Sequence, residues 1–465
     1  MNRVHFIAIG GSAMHNLAIA LDQKGYQITG SDDEIFEPSR SRLERLGLLP
    51  SKLGWFPEDI TSDLHAVILG MHARKDNPEL LRAQELGIPV YSYPGYFYQQ
   101  TKDKTRVVIG GSHGKTTITS MIVHVLRHAK SDFDYLVGAQ LDGFDCMVRL
   151  SPDSQVAIIE GDEYLASALD TVPKFHLYKP DIALISGIAW DHINVFKTYE
   201  SYVDQFRTFI DVIEPGGKLI YCEEDAEVKK LATEDKGSPN PNPSPKGKGV
   251  PVKIPYGVPK HEIRDGVTVL LTGQGEVPLQ VFGRHNLMNL EGARHVCHQL
   301  GITDRTFYES MRSFHGAAKR LEKLAESGAK VVFKDFAHSP SKLKATVEAV
   351  REQFPDRRIT ACMELHTYSS LSEGFLDQYD GCMAGADDAI VFYDPHAVQL
   401  KKLPPVPPER IHKAFGRDDL LVLSDPIAVM GAVREHTSKQ GVLLMMSSGN
   451  FGGIDLQATA EAFIA

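Results

Sequence analysis

The sequence predicts an α/β protein of three domains. Three observations carry that expectation. At 465 residues the chain is about three times the length of an ordinary domain. Short apolar runs alternate with helix-period stretches along much of its length. Glycine-rich turns stand between a strand-like run and a helical one at Gly10-Gly11 and again at Gly110-Gly111.

Taken in order, residues 4–9 form an apolar run that ends in Gly10-Gly11. A helical pattern follows through Leu17 and Leu21, and a second strand over 27–30 ends at Ser31-Asp32. Residues 66–69, a helix over 77–86 and a strand over 89–91 continue a parallel sheet, and the first domain spans 1–103. Residues 106–109 open a second domain, 104–316. Its helix runs from Lys115 to Arg127, with strands over 156–160 and 182–185 and a helix over 199–213. Residues 236–249 hold prolines, glycines and serines that build neither ladder nor helix, and read as a surface insertion. The third domain, 317–465, alternates strands over 330–336, 359–363, 389–393 and 442–447 with helices.

Hydrophobic residues at 42% and charged residues at 24% suit folded domains with buried cores. A net charge of −10 argues against nucleic acid as a bulk partner, so an anionic substrate must be held by local donors. The five cysteines are scattered, with no Cys-x-x-Cys pair, which predicts neither a disulfide framework nor a zinc site. No run approaches the ~20 apolar residues of a membrane span, and the opening residues lack a secretion signal. A cytoplasmic protein is expected, with monomer and homodimer both open.

The chemistry is written most clearly in Gly110-Gly111-Ser112-His113-Gly114-Lys115-Thr116-Thr117. Between a strand and a helix, such a loop presents backbone N–H groups and a helix N-terminus to phosphates. Lys115 adds a point charge, and the Thr116 hydroxyl suits Mg²⁺. The spacing is one residue shorter than the strict phosphate-loop pattern, because position 109 is isoleucine. Glu160-Gly-Asp162-Glu163-Tyr164 and Trp190-Asp191-His192 follow buried strands, which places carboxylates and an imidazole where ligands gather in open α/β sheets. A surface acidic turn and a structural histidine are the plainer alternative.

The short loop with its doubled threonine resembles that of the Mur ligases, and further motifs extend the resemblance over almost the whole chain. Ile9-Gly10-Gly11-Ser12-Ala13-Met14 resembles the turn Gly-x-Gly-Gly-x-Gly-Met, with alanine at 8 and 13; with Gly30-Ser31-Asp32 it implies a UDP-sugar site. Gly283-Arg-His285-Asn286-Leu-Met-Asn289 is similar to the family's adenine motif, although these residue types also cap helices. Phe314-His-Gly316-Ala-Ala-Lys319-Arg320-Leu-Glu322 resembles the hinge into the third domain, which implies that Arg320 meets the ATP phosphates. Asp335-Phe-Ala337-His338-Ser339-Pro340 implies Asp335 at the ribose and His338 near the reacting centre.

The resemblance implies a Rossmann-like N-terminal domain, a central phosphate-loop ATPase-type domain and a Rossmann-like C-terminal domain. It implies an ATP-dependent ligase whose catalytic set is Lys115, Glu160, His192, Arg320 and His338, with Mg²⁺ on Thr116, Glu160 and His192. Several members carbamylate a lysine some fourteen residues past this histidine; here Phe206 holds that place, which implies the branch acting on UDP-N-acetylmuramate. The expected amine partner is the tripeptide L-alanyl-γ-D-glutamyl-meso-diaminopimelate, with L-alanine as the alternative. The segments 30–38, 174–180, 314–322 and 446–453 resemble the tripeptide-joining form. Glu364-Leu-His366-Thr-Tyr-Ser-Ser370 departs from it, lacking an arginine. A folate-type polyglutamylating ligase would not need the Gly10-Gly11 turn. A non-catalytic nucleotide-binding regulator would be expected to lose Glu160, His192 or Arg320, and all three are present.

Overall fold

Four short runs pair in parallel as the first sheet, in the order Gln27–Ser31, Arg3–Ile7, Ala66–Leu69, Val90–Ser92. Ala66–Leu69 is buried throughout, as a strand covered on both faces must be. The first strand stops at Ile7, two residues before the expected end, because Ala8 turns into the left-handed region at φ 66°. A side chain there costs about 1 kcal/mol relative to glycine. Gly70 makes room for it: a β-carbon on Gly70 would meet the Ala8 methyl at 2.9 Å.

The computed structural model describes the chain apart from residues 1, 72, 139–143, 145, 168, 193–194, 235–249, 265, 317–319, 329 and 437–440. The 236–249 insertion and Lys319 of the hinge motif therefore lie outside the described residues. Two compact units emerge, Met1–Gly257 with Glu291–Phe307, and Val258–Leu290 with Tyr308–Ala465, which divide the 104–316 segment between them.

The first unit also holds a seven-stranded sheet. Its order is Val252–Tyr256, Lys218–Cys222, Ile182–Ile185, Thr105–Gly110, Val156–Glu160, Asp134–Leu136, Val148–Arg149, parallel except for the last pair. Thr105–Gly110 is central, so the loop after it opens between the carboxyl ends of its two neighbours, the strands ending at Glu160 and Ile185. Phe175 stacks on Phe209 with centroids 4.6 Å apart, and Phe206 meets Phe175 and Tyr202 edge-on at 5.5 and 5.3 Å. This aromatic layer presses on the end of the central strand: a β-carbon on Gly110 would lie 3.2 Å from Phe209 and 3.4 Å from Phe175.

The second unit carries a six-stranded sheet, Glu322–Ser327, Lys330–Asp335, Gly441–Met446, Arg358–Leu365, Asp388–Tyr393, Leu421–Leu423, parallel after its first pair. It also carries an antiparallel ribbon, His261–Arg264, Val267–Thr272, Gly275–Pro278, that the sequence reading missed. Its outer strand alternates half-buried with exposed residues and bears three ionisable groups, which gives a weak apolar signal. The Thr268 hydroxyl joins this ribbon to the helix Pro340–Gln353 through Gln353, at 3.0 Å.

His176 lies in the aromatic layer, stacked on Phe175 at 4.7 Å, with Nε2 2.7 Å from the Gln205 carbonyl. Burial pushes its pKa down to about 4, which outweighs the support of that carbonyl. The folded state therefore resists a proton that the unfolded chain takes up near pH 6.5. Its stabilising effect is present above that pH and is lost as pH falls toward 4. Chemical denaturation should show stability declining by about 1.4 kcal/mol per pH unit from this group across that window. In His176→Gln the slope should be correspondingly shallower.

Candidate functional site

Backbone geometry builds the loop after the central strand before any side chain acts. Gly111 sits at φ 127°, and a β-carbon there would strike the Ser186 side chain and lie 2.9 Å from the Ser186 nitrogen and 3.2 Å from that of Gly187. Gly114 precedes the helix Lys115–His128 at φ 77° and offers no side-chain cap, which leaves the N–H groups of the first turn directed at the loop. The Ser112 amide donates to the Gly187 carbonyl at 2.9 Å, and the Ser186 hydroxyl bonds to the His113 carbonyl.

Lys115 Nζ donates to the Gly111 carbonyl and to Glu163 Oε2, both at 2.6 Å. Burial alone would push the Glu163 carboxyl up, yet the Lys115 ammonium and the His192 ring hold it far below the ordinary carboxylate range. Lys115 is raised in turn, its desolvation outweighed by Glu163. Tyr202, wholly buried, ties the two sides together: its hydroxyl donates to Glu163 Oε1 at 3.1 Å and lies 2.8 Å from Ser112 Oγ. Sequence reasoning gave neither Tyr202 nor Glu163 a role.

Thr116 Oγ1 donates to Glu160 Oε1 at 2.8 Å, and the Gly138 amide donates to Glu160 Oε2 at the same distance. His192 adopts φ 54°, uncommon for a residue with a β-carbon, and this turn sets its Nε2 3.6 Å from Glu163 Oε1. Burial opposes its protonation, but Glu163 and Asp191 raise its pKa overall. One ligand atom each from Asp162, Glu163 and His192 falls within a 4.8 Å cluster. The structure thus joins Thr116 to Glu160 and places His192 with Glu163 and Asp162.

At the first glycine turn, the Ala8 and Ile9 amides both donate to the Ser31 carbonyl, and the Gly10 amide donates to Asp32 Oδ2 at 2.7 Å. Gly11 precedes the helix Ser12–Gln23 without capping it, so the amides at Ser12, Ala13 and Met14 begin an uncapped helix. Burial raises the pKa of Asp32 despite the Gly10 bond. Glu79, fully buried, accepts from the Ser31 hydroxyl and from the Phe56 amide, which fastens the loop at 54–56 beside this turn.

In the second unit Asp335 accepts from the Leu321 and Ala337 amides at 2.7 and 2.8 Å and from Thr346 Oγ1 at 3.2 Å. It thereby clamps the backbone beside Arg320, whose guanidinium lies 4.8 Å over the Phe336 ring. Burial lowers the His285 pKa, with Asp335 raising and Arg320 lowering it from nearby, so these three share a locale. Asn286 donates to the Phe282 carbonyl at 2.9 Å, four residues back, and Asn289 is buried. His338 Nδ1 lies 2.8 Å from the Phe336 carbonyl, and its own carbonyl accepts from Tyr379 at 2.6 Å. Glu364 ends its strand as a buried anchor for the turn after Met446: it accepts from the Ser447 hydroxyl and from the Phe451 amide at 2.9 Å, and faces His366 Nδ1 at 3.6 Å.

A glycine-built loop at a helix N-terminus, with a lysine, a threonine and flanking carboxylates, defines an enzyme that uses a nucleoside triphosphate. Family models agree, and in chain order: Mur ligase family, catalytic domain, over residues 3–105; Mur ligase middle domain, over 109–297; and Mur ligase, glutamate ligase domain, over 319–449. The UDP-N-acetylmuramate–L-alanine ligase of Sulfurihydrogenibium sp. is 30% identical over 378 residues, covering 81% of this chain and 79% of its own. The murein peptide ligase of Psychrobacter arcticus superposes with a TM-score of 0.63 at 21% identity, covering 100% of this chain and 99% of its own. The UDP-N-acetylmuramate–alanine ligase of Thermotoga maritima superposes with a TM-score of 0.68 at 18% identity, covering 100% and 98%. The chain belongs to the Mur ligase family and has its three-domain α/β architecture. It is an ATP-dependent ligase that forms carbon–nitrogen bonds.

Gly111→Ala should weaken binding of a fluorescent ATP analogue about tenfold or more, since the strain and contacts of the new β-carbon amount to roughly 1–3 kcal/mol. Tyr202→Phe keeps the ring in the aromatic layer and removes one donor from Glu163. Its turnover should fall about tenfold in steady-state assays, with the melting temperature lowered by only a few degrees, since Glu163 keeps Lys115 and His192.

Proposed function

We propose that this enzyme joins the lactyl carboxylate of UDP-N-acetylmuramate to the amine of L-alanyl-γ-D-glutamyl-meso-diaminopimelate through an acyl phosphate. The observation that carries the nucleotide substrate is Phe206. It is wholly buried between Phe175 and Tyr202 at the place where family members with other substrates carry a carbamylated lysine. The tripeptide is supported by the segments 30–38, 174–180, 314–322 and 446–453. The alternative amine, L-alanine, is favoured by the name of the 30%-identical relative and by the missing arginine in residues 364–370.

In this reading the loop amides from Gly111 to Thr117, with Ser112 and His113 inside the loop, cradle the ATP phosphates, and Lys115 turns from Glu163 toward them. Arg320 pairs with phosphate oxygens, a task for which its planar fork is suited. His285, Asn286 and Asn289 are assigned to the adenine, Asp335 to the ribose and His338 to the reacting centre. Gly10, Gly11, Ser12, Ala13, Met14, Ser31 and Asp32 are assigned to the UDP-sugar. The donor set fits Mg²⁺: Thr116 with Glu160, and the Asp162–Glu163–His192 group, are rich in the hard oxygens this cation prefers, with His192 the one nitrogen. Bound there, Mg²⁺ balances the charge of the phosphates. The protein positions the carboxylate for in-line attack and stabilises the charge on the transferring group. A carboxylate by itself has no good leaving group; the phosphate added to it supplies one for the attacking amine.

Phosphate release with UDP-N-acetylmuramate and ATP should depend on an added amine, with the tripeptide far exceeding L-alanine. Equal or greater release with L-alanine would overturn the tripeptide assignment, and release with neither would overturn the nucleotide substrate. Lys115→Ala should abolish the release measured with either amine.

A further inference from the structure

A second lysine faces the acidic corner of the site and has no part in the steps above. Lys174 opens the short helix Lys174–Leu177, and its Nζ lies 2.5 Å from Asp162 Oδ2. The rings of Tyr164 and Tyr93 flank the same nitrogen, with centroids at 5.7 and 5.9 Å. The side chain keeps 12% exposure. Tyr93 begins the helix Tyr93–Thr101 directly after the strand Val90–Ser92 of the first sheet, while Asp162 and Tyr164 directly follow the strand Val156–Glu160 of the second. The ammonium therefore stands where strand ends of both sheets come together inside one compact unit.

Charge makes that position informative. Glu160, Asp162 and Glu163 line the approach to the phosphate loop; the Mg²⁺ assigned to them balances part of that charge, and a fixed protein cation beside Asp162 gives an incoming carboxylate a further partner. Lys115 is engaged by Glu163 and, in the working enzyme, by phosphates. An ammonium has three donors; Asp162 occupies one of those on Lys174, and the aromatic faces fix its place without consuming another. A substrate held at the first glycine turn, with its reactive end directed at the phosphate loop, has to pass from one sheet to the other, and Lys174 lies at that passage.

We propose that Lys174 is the specificity-determining cation that binds the reacting carboxylate of the sugar nucleotide, with Tyr93 and Tyr164 holding it in place. The inference rests on UDP-N-acetylmuramate being the carboxylate substrate. UDP-N-acetylglucosamine is the natural control, because it shares the nucleotide and the acetamido sugar and lacks the lactyl carboxylate.

Calorimetry of both nucleotides, with Mg²⁺ and a non-hydrolysable ATP analogue present, tests it. Lys174→Met should weaken UDP-N-acetylmuramate about tenfold or more, the expected size for a lost charge-assisted bond, and leave UDP-N-acetylglucosamine within twofold of wild type. Lys174→Arg, which retains the charge, should retain most of the preference for the acid. Lys174→Gln keeps a donor to Asp162 and carries the same expectation as Lys174→Met where the latter is too unstable to assay. Equal weakening of both nucleotides, the mark of a purely structural ion pair, overturns the proposal, as does unchanged binding of both. A wild-type protein that binds neither overturns the substrate reading beneath it. That result is distinct from failure of Lys174, in which the wild type still prefers the acid.

Discussion

The buried pair of Lys115 and Glu163 is the interaction on which the rest of the site depends. Taking an ammonium and a carboxylate out of water costs several kcal/mol per ion, and removal of either partner strands the other. The protein offsets that cost with geometry: contacts of 2.6 Å from Lys115 to Glu163 and to the Gly111 carbonyl, a hydroxyl from Tyr202, and the imidazole of His192. Each of these arrives from a different segment. The pair therefore fixes the phosphate loop, the turn after Val156–Glu160, the left-handed His192 turn and the helix Tyr199–Asp211 relative to one another.

Two glycine turns exploit the same physics by different means. At Gly111 and Gly114 the backbone needs conformations that a β-carbon resists, and at Gly111 the neighbouring backbone also leaves no space for one. At the N-terminal turn the equivalent strain falls on Ala8, and the space for its methyl comes from Gly70 on a neighbouring strand end. A missing glycine in the turn is thus compensated by one sixty-two residues away. Local comparison of the turn alone registers only a departure.

Much of this was legible in the sequence, because the informative signals were local. Residues 66–69, 156–160 and 182–185 are strands with the expected ends, since continuous apolar runs bounded by turn residues leave little choice. The phosphate loop was legible for the same reason. Glu163 was not: it is one of three acids within residues 160–163, and only the fold shows which of them turns toward Lys115 and which toward Thr116 or Lys174. Tyr202 reads as one more aromatic on an amphipathic helix until its hydroxyl is placed. Asp335 was expected to face a ligand, and its carboxylate also serves its own backbone at Leu321 and Ala337.

The lysine folded onto its own loop has a consequence for which anions the site admits. An entering phosphate has to share Lys115 with the Gly111 carbonyl and draw it away from the Glu163 carboxylate, whose charge then needs other partners. A free inorganic ion brings too few contacts to offset that exchange. A nucleoside triphosphate has several phosphates, a metal and a base over which to spread it. On the ATP reading, the protein's own groups therefore compete more effectively with a lone inorganic phosphate than with a nucleotide.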